Sequence, residues 1–136
     1  MDRQTRVYIA GHRGLVGSAL VRRLEALGYA QVLTSPRKEV DLTEAAAVRR
    51  WFERHRPEVA ILAAAKVGGI LANQTFPADF LTTNLLIQTA VVDAAIRTGV
   101  QQLLFFGSTC AYPKHCPQPM KEEALLTGPL EPTSEP

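Results

Sequence analysis

Gly11, Gly14 and Gly17 sit between a short apolar run and an amphipathic stretch, and no other segment constrains the chain as tightly. Arg6-Val7-Tyr8-Ile9-Ala10 before them reads as a buried strand. Val16, Leu20, Leu24 and Leu27 recur at helical spacing after them, and Gly28 is placed to stop that helix. Glycine is needed where a backbone turns tightly, or where it must approach a pyrophosphate with no Cβ in the way. A helix N-terminus behind such a loop offers free N–H groups and a partial positive charge to phosphates. Spaced glycines alone are a weak signal, and a purely structural tight turn is the alternative. The strand before and the helix behind make the dinucleotide reading specific. It assigns Gly11, His12, Arg13, Gly14, Leu15, Val16 and Gly17 to a cofactor loop.

The remaining chain alternates strand and helix. Gln31–Thr34 reads as a second strand. Asp41 or Thr43 can cap a helix whose Val48, Trp51 and Phe52 face inward and which Pro57 ends. Glu58–Ala63 is a third strand, followed by a loop from Lys66 to Phe76. Pro77 opens a long helix carrying Phe80, Leu81, Asn84, Leu85, Ile87, Val91 and Ile96, closed by Gly99. Gln102–Phe106 is a fourth strand. This order predicts an α/β fold: a Rossmann-type doubly wound parallel sheet of about four strands with right-handed crossovers. Residues 1–112 form the nucleotide-binding domain in this reading. Residues 113–136 form an irregular segment that holds most of the nine prolines and has no periodicity. So long a structureless stretch is uncommon on a compact domain, and it suggests that the chain is cut.

Composition excludes more than it selects. Fifteen basic and 13 acidic residues leave a net charge of +2, too balanced for nucleic-acid or membrane binding by bulk electrostatics. No apolar run reaches membrane-spanning length, and the N-terminus lacks a signal-peptide core. Cys110 and Cys116 do not make a disulfide framework. The expectation is a reduced, cytoplasmic protein, and no metal site is assigned.

The second strand bears on which dinucleotide is bound. An NAD site usually ends this strand with a carboxylate that accepts from the ribose 2′-OH. Here the strand runs out through Leu33-Thr34-Ser35-Pro36-Arg37, with no carboxylate before Glu39. Arg13 and Arg37 both fall at the ribose end, where two guanidinium groups suit a 2′-phosphate. NADP is therefore expected over NAD, although solvated surface arginines are the common alternative. Asp41-Leu42 follows, and Asp41 can either bond the adenine amino group or cap the next helix.

Several segments together resemble the GDP-L-fucose synthases, a family of extended short-chain dehydrogenase/reductases. They are residues 9–19, the stretch Leu62-Ala63-Ala64-Ala65-Lys66-Val67-Gly68-Gly69-Ile70, then Pro77-Ala78-Asp79-Phe80, Gly107-Ser108-Thr109-Cys110-Ala111-Tyr112-Pro113-Lys114, and Leu130-Glu131-Pro132-Thr133. The resemblance implies 3,5-epimerisation of GDP-4-keto-6-deoxy-D-mannose and then reduction of its 4-keto group with NADPH. It implies that Ser108 hydrogen-bonds the reacting carbonyl oxygen and that Cys110 is a base in epimerisation. Such chemistry needs a donor at an enolate oxygen and a base beside the carbon. Otherwise Ser108 is a turn residue and Cys110 a small buried hydrophobe. The resemblance extends the cofactor set, beyond the loop, Arg37, Asp41 and Leu42, to Ala64, Ala65, Phe106, Gly107, Ser108 and Thr109. Lys66 would lie near the nicotinamide half, and Asn84 would support the region by hydrogen bonding. The alternatives are a loop charge and a buried helix-packing amide. Cys116 matches nothing in the pattern. A homodimer joined through the long helix is also implied.

The chain departs from the family at its end. The superfamily reduces carbonyls with a Tyr-x-x-x-Lys pair, and the tyrosine would directly follow a Glu-Pro resembling Glu135-Pro136. None of Tyr8, Tyr29 and Tyr112 is followed four residues later by lysine. Neither His12, His55 nor His115 matches the histidine used as epimerisation acid. The expectation is that these residues alone are inactive, with apolar surface left uncovered for want of later strands. Two other readings stand beside the enzyme: a non-catalytic NADP-binding module, and a different, NAD-dependent sugar-nucleotide epimerase or dehydratase.

Overall fold

The structure is a computed structural model, and it describes residues 2–134. Two compact units are present. One comprises Met1–Lys66 and Leu81–Phe105, the other Val67–Phe80 and Phe106–Pro136.

The first unit is built on four parallel strands in the order β2-β1-β3-β4: β1 Val7–Ala10, β2 Val32–Leu33, β3 Val59–Leu62 and β4 Gln102–Phe105. Val7 is in register with Val32 on one side and Val59 on the other, and Val59 with Gln102. Side chains alternate across a pleated strand, so β1 and β3 each serve two cores. Val7, Ile9, Val59 and Ile61 pack with Leu24 of helix α1 (Leu15–Ala26). Tyr8, Ala10, Ala60 and Leu62 pack with α2 (Ala45–His55) and with Ala90, Val91, Ala94 and Ala95 on the long helix α4 (Pro77–Thr98). Helices therefore cover both faces, the Rossmann-type arrangement expected. Val48, Trp51 and Phe52 are buried as their spacing predicts. Within the second of these cores the Tyr8 ring packs against Trp51 at 4.3 Å and Phe52 at 5.3 Å between centroids.

Three expectations change in detail. β2 is two residues long, because it lies at the sheet edge and bonds to β1 alone before Pro36. Helix α2 starts after Glu44 with no side-chain cap; Asp41 instead closes a turn, its Oδ1 accepting from the Thr43 N–H (3.0 Å) and hydroxyl (2.8 Å). The stretch read as a loop holds a short helix, α3 (Ile70–Thr75), in the second unit. Six residues are too few to show a helical period in sequence.

Besides α3 and the first residues of α4, the described residues of the second unit form two 3-10 turns, Thr109–Ala111 and Glu122–Ala124. Its proline-rich chain is tied by Lys114, which pairs with Glu131 (3.0 Å) and donates its N–H to the Pro129 carbonyl (3.0 Å). Glu135 and Pro136, which prompted the comparison with the Glu-Pro before a catalytic tyrosine, lie outside the described residues. Among the described residues no helix is long and apolar enough to cross a membrane. Apolar surface does remain open on β4, where Leu104 and Phe105 are about half exposed (49% and 52%).

Helix α1 depends on Gly17. A Cβ there would run into the Gly11 carbonyl group and come within 2.9 Å of the His12 Cα. We expect Gly17→Ala to lower stability by about 1–3 kcal/mol in urea unfolding, the usual range for overpacking. Gly107→Ala, where a Cβ meets nothing within 4 Å, should stay within about 0.5 kcal/mol.

Candidate functional site

Strand order places the site. From β1 the chain moves to β2 on one side, and it returns to place β3 on the other. The segments leaving β1 and β3 therefore diverge, and in open parallel sheets a crevice forms at that point, outside the carboxyl ends of the strands. The first unit has a cavity of about 530 Å³ there.

Gly11, His12, Arg13 and Gly14 line it from the β1 end, and Ala63, Ala64, Ala65 and Lys66 from the β3 end. The segment after β2 adds Ser35, Arg37, Asp41, Leu42 and Thr43. Nine of the residues singled out as cofactor contacts thus meet around one space. Leu15, Val16 and Gly17 do not line it. Leu15 and Val16 begin α1 with exposed side chains, and Gly17 packs the helix against the loop. Phe106, Gly107, Ser108 and Thr109 belong to the second unit.

The loop fits a diphosphate. Gly14 is the residue before α1, it faces the cavity, and a Cβ on it would touch only the Gly11 carbonyl oxygen, at 3.4 Å. The first turn of α1 has no acidic residue and no side-chain cap, so its N–H groups are not taken by a side chain. Gly11 has a different task. Its φ of +87° is left-handed, and a Cβ would come within 2.7 Å of the Ala63 carbonyl oxygen and of Ala64.

Charge is unevenly distributed over the lining. Partial burial, then the Arg13 charge, lower the His12 pKa and favour its neutral form. Arg13 has no ion pair among the described residues. Arg37 Nε and Nη2 both donate to Asp41 Oδ2 at 3.2 Å. The Thr43 N–H and hydroxyl, then Arg37, hold the Asp41 carboxyl below the usual carboxylate range. Asn84 fixes the β3 end: its Oδ1 accepts from the Lys66 N–H (2.7 Å), and its Nδ2 donates to the Lys66 carbonyl (3.0 Å).

Sequence reasoning left Ser35, Val40, Thr43, Ala63, Thr83 and Ile87 out of the site. Ser35 and Thr43 flank residues already singled out. Thr83 and Ile87 are four apart on α4, hence on one helical face, but only the packing of that helix shows which face meets the cavity.

In the second unit Ser108 precedes a 3-10 turn, and its Oγ accepts from the Cys110 N–H at 3.1 Å. Cys110 is an exposed free thiol. Hydrogen bonds from Ser108 and then Ser134 lower its pKa. Among the described residues no cluster of His, Cys, Asp and Glu could hold a metal ion.

A doubly wound sheet with a bare glycine loop at its switch point defines a dinucleotide-binding domain. The family model described as NAD dependent epimerase/dehydratase matches residues 7–136, and the chain belongs to that family. It is 56% identical over 135 residues, 98% of this chain, to a probable GDP-L-fucose synthase 1 of Oryza sativa subsp. japonica. It is 53% identical over 134 residues, again 98% of the chain, to GDP-L-fucose synthase 1 of Arabidopsis thaliana. The chain spans 41% and 42% of those relatives' lengths. A solved GDP-mannoheptose C4 reductase from Campylobacter jejuni with NADP bound superposes with a TM-score of 0.92 at 38% identity, over 98% of this chain and 42% of the reductase.

The Cys110 environment has a measurable consequence. A lowered thiol pKa keeps the thiolate present to lower pH, and the thiolate is the form that is alkylated. In a Cys116→Ala background, the iodoacetamide rate at Cys110 should rise at a lower pH than for free cysteine. Ser108→Ala should move that rise back up. A rate profile coinciding with free cysteine would contradict the Ser108 and Ser134 contacts.

Proposed function

We propose that the whole protein is an NADPH-dependent epimerase-reductase that converts GDP-4-keto-6-deoxy-D-mannose to GDP-L-fucose in the cytoplasm, and that this chain carries its cofactor site. The observation that carries the reading is the gathering of the glycine loop, Arg13 and Arg37 around one cavity, in a chain more than half identical to GDP-L-fucose synthases.

Residues 1–112 form the nucleotide-binding domain in this proposal, and 113–136 belong to the active-site region. The glycine loop and the α1 N-terminus hold the diphosphate, with Leu15, Val16 and Gly17 shaping that turn. Arg13 and Arg37 take the 2′-phosphate by charge-assisted hydrogen bonds. Asp41, Leu42, Ala64 and Ala65 bound the adenosine half, and Phe106, Gly107, Ser108 and Thr109 face the nicotinamide half. NADPH, when bound, supplies the hydride for the 4-keto reduction. Cys110 removes a proton α to the ketone, aided by its lowered pKa. Ser108 donates to the oxygen on which the enolate charge develops.

Reduction also needs a proton donor to the carbonyl oxygen. These 136 residues hold no Tyr-x-x-x-Lys, so we propose that they bind cofactor but do not reduce substrate by themselves. In the whole protein, further strands would cover β4, and two copies would meet along α4, whose Leu81, Leu85 and Leu86 are exposed.

The test is a fluorescence titration of the purified chain with NADPH and NADH, beside Arg37→Ala. We expect NADPH to bind at least tenfold more tightly, and the variant to lose most of that preference, as for a charge-assisted bond of about 1.5–3 kcal/mol. Equal binding of the two dinucleotides would overturn the 2′-phosphate assignment and favour an NAD-dependent epimerase.

A further inference from the structure

Ser35 follows β2 and lines the cavity, yet only 9% of it is exposed. Its Oγ lies 2.8 Å from the Tyr8 hydroxyl, and Tyr8 is 1% exposed at the centre of β1. Neither hydroxyl has another side-chain partner among the described residues.

The direction of this hydrogen bond can be argued. Burial pushes the Tyr8 phenol up to about 12, so it keeps its proton at neutral pH. If Ser35 donated to Tyr8, the phenolic proton would be buried with no acceptor, which is costly. If Tyr8 donates to Ser35, both protons are served, because the Ser35 proton can turn toward the cavity. The second arrangement wins. It leaves a fixed hydroxyl donor beside Arg37, at the end of the second strand. NAD-type sites place a carboxylate there, which would repel a phosphate.

We propose that Ser35 is a further cofactor-binding residue, donating its hydroxyl proton to the 2′-phosphate of the bound dinucleotide, and that Tyr8 is the positioning residue that aims it. The inference rests on the NADPH reading and adds a neutral donor to the two arginines. It gives Tyr8 a part in cofactor choice beyond its ring packing against Trp51 and Phe52.

The experiment measures Kd for NADPH and for NADH with the 136-residue chain and with Ser35→Ala, Ser35→Thr, Tyr8→Phe and the Ser35→Ala/Tyr8→Phe double variant. Thermal melts by circular dichroism accompany each. We expect Ser35→Ala to weaken NADPH about tenfold and NADH much less, since a bond to an anion is worth more than one to a hydroxyl. Ser35→Thr, which keeps the hydroxyl, should retain the preference. Tyr8→Phe keeps the ring and should lose part of it, and the double variant should bind NADPH no worse than Ser35→Ala, because the two act through one bond. A chain that prefers NADPH, with the same NADPH-to-NADH ratio in Ser35→Ala, overturns this inference alone. A parent chain with no preference overturns the NADPH reading and this inference together. Should Ser35→Ala not fold, loss of preference in Tyr8→Phe supports the proposal, and an unchanged ratio there overturns it.

Discussion

At Gly11 one backbone lies directly against another, and the remaining architecture of the site follows from that approach. The residue turns at φ +87° with no room for a Cβ beside Ala63 and Ala64, and α1 returns so closely that Gly17 must also be bare. Neither glycine needs a ligand to explain it. They allow the end of β1, the end of β3 and the start of α1 to share one corner. Gly14 is the member of the trio whose missing Cβ leaves space open to the cavity. One motif thus divides into two packing glycines and one that keeps the cavity wall open.

The corner is held from behind by the sheet. β1 and β3 are buried on both faces, so their register is locked by two cores at once, and a slip would exchange every side chain between them. Tyr8 shows how core and cavity connect. Its ring belongs to the core with Trp51 and Phe52, while its hydroxyl reaches Ser35 on the cavity wall. Asn84 makes a similar connection at the other end, tying the backbone of Lys66 to α4. Ser35 and the Lys66 backbone are thereby each tied to a packed element.

Electrostatics at the rim are weaker than the charges alone suggest. Arg37 is 85% exposed and paired with Asp41, and exposed pairs are worth about 0–1 kcal/mol. An incoming phosphate could therefore displace or share that pairing at little cost. The Asp41 turn, anchored by Thr43, keeps the segment after β2 in place in either case.

Much of this is legible in the amino-acid sequence. Apolar runs bounded by glycine and proline mark the four strands, and the 3.6-residue period marks α1, α2 and α4, because burial on one or both faces leaves a period in sequence. The glycine spacing marks the cofactor loop for a steric reason that is local to the chain. What stayed hidden depends on contacts distant in sequence. The brevity of β2 follows from its edge position, and α3 is too short to leave a period. Asp41 closes a turn where a cap was an equal expectation. Thr83, Ile87 and Ser35 reach the cavity only because α4 and β1 pack where they do. The sequence by itself determined the alternation of elements, the bare glycine loop and the two arginines, since backbone sterics and burial are written residue by residue. Only the tertiary structure decided which side chains meet at the cavity and which partner each polar group has, because those depend on strand order and helix packing between residues 27 apart in sequence for Tyr8 and Ser35 and 18 apart for Lys66 and Asn84.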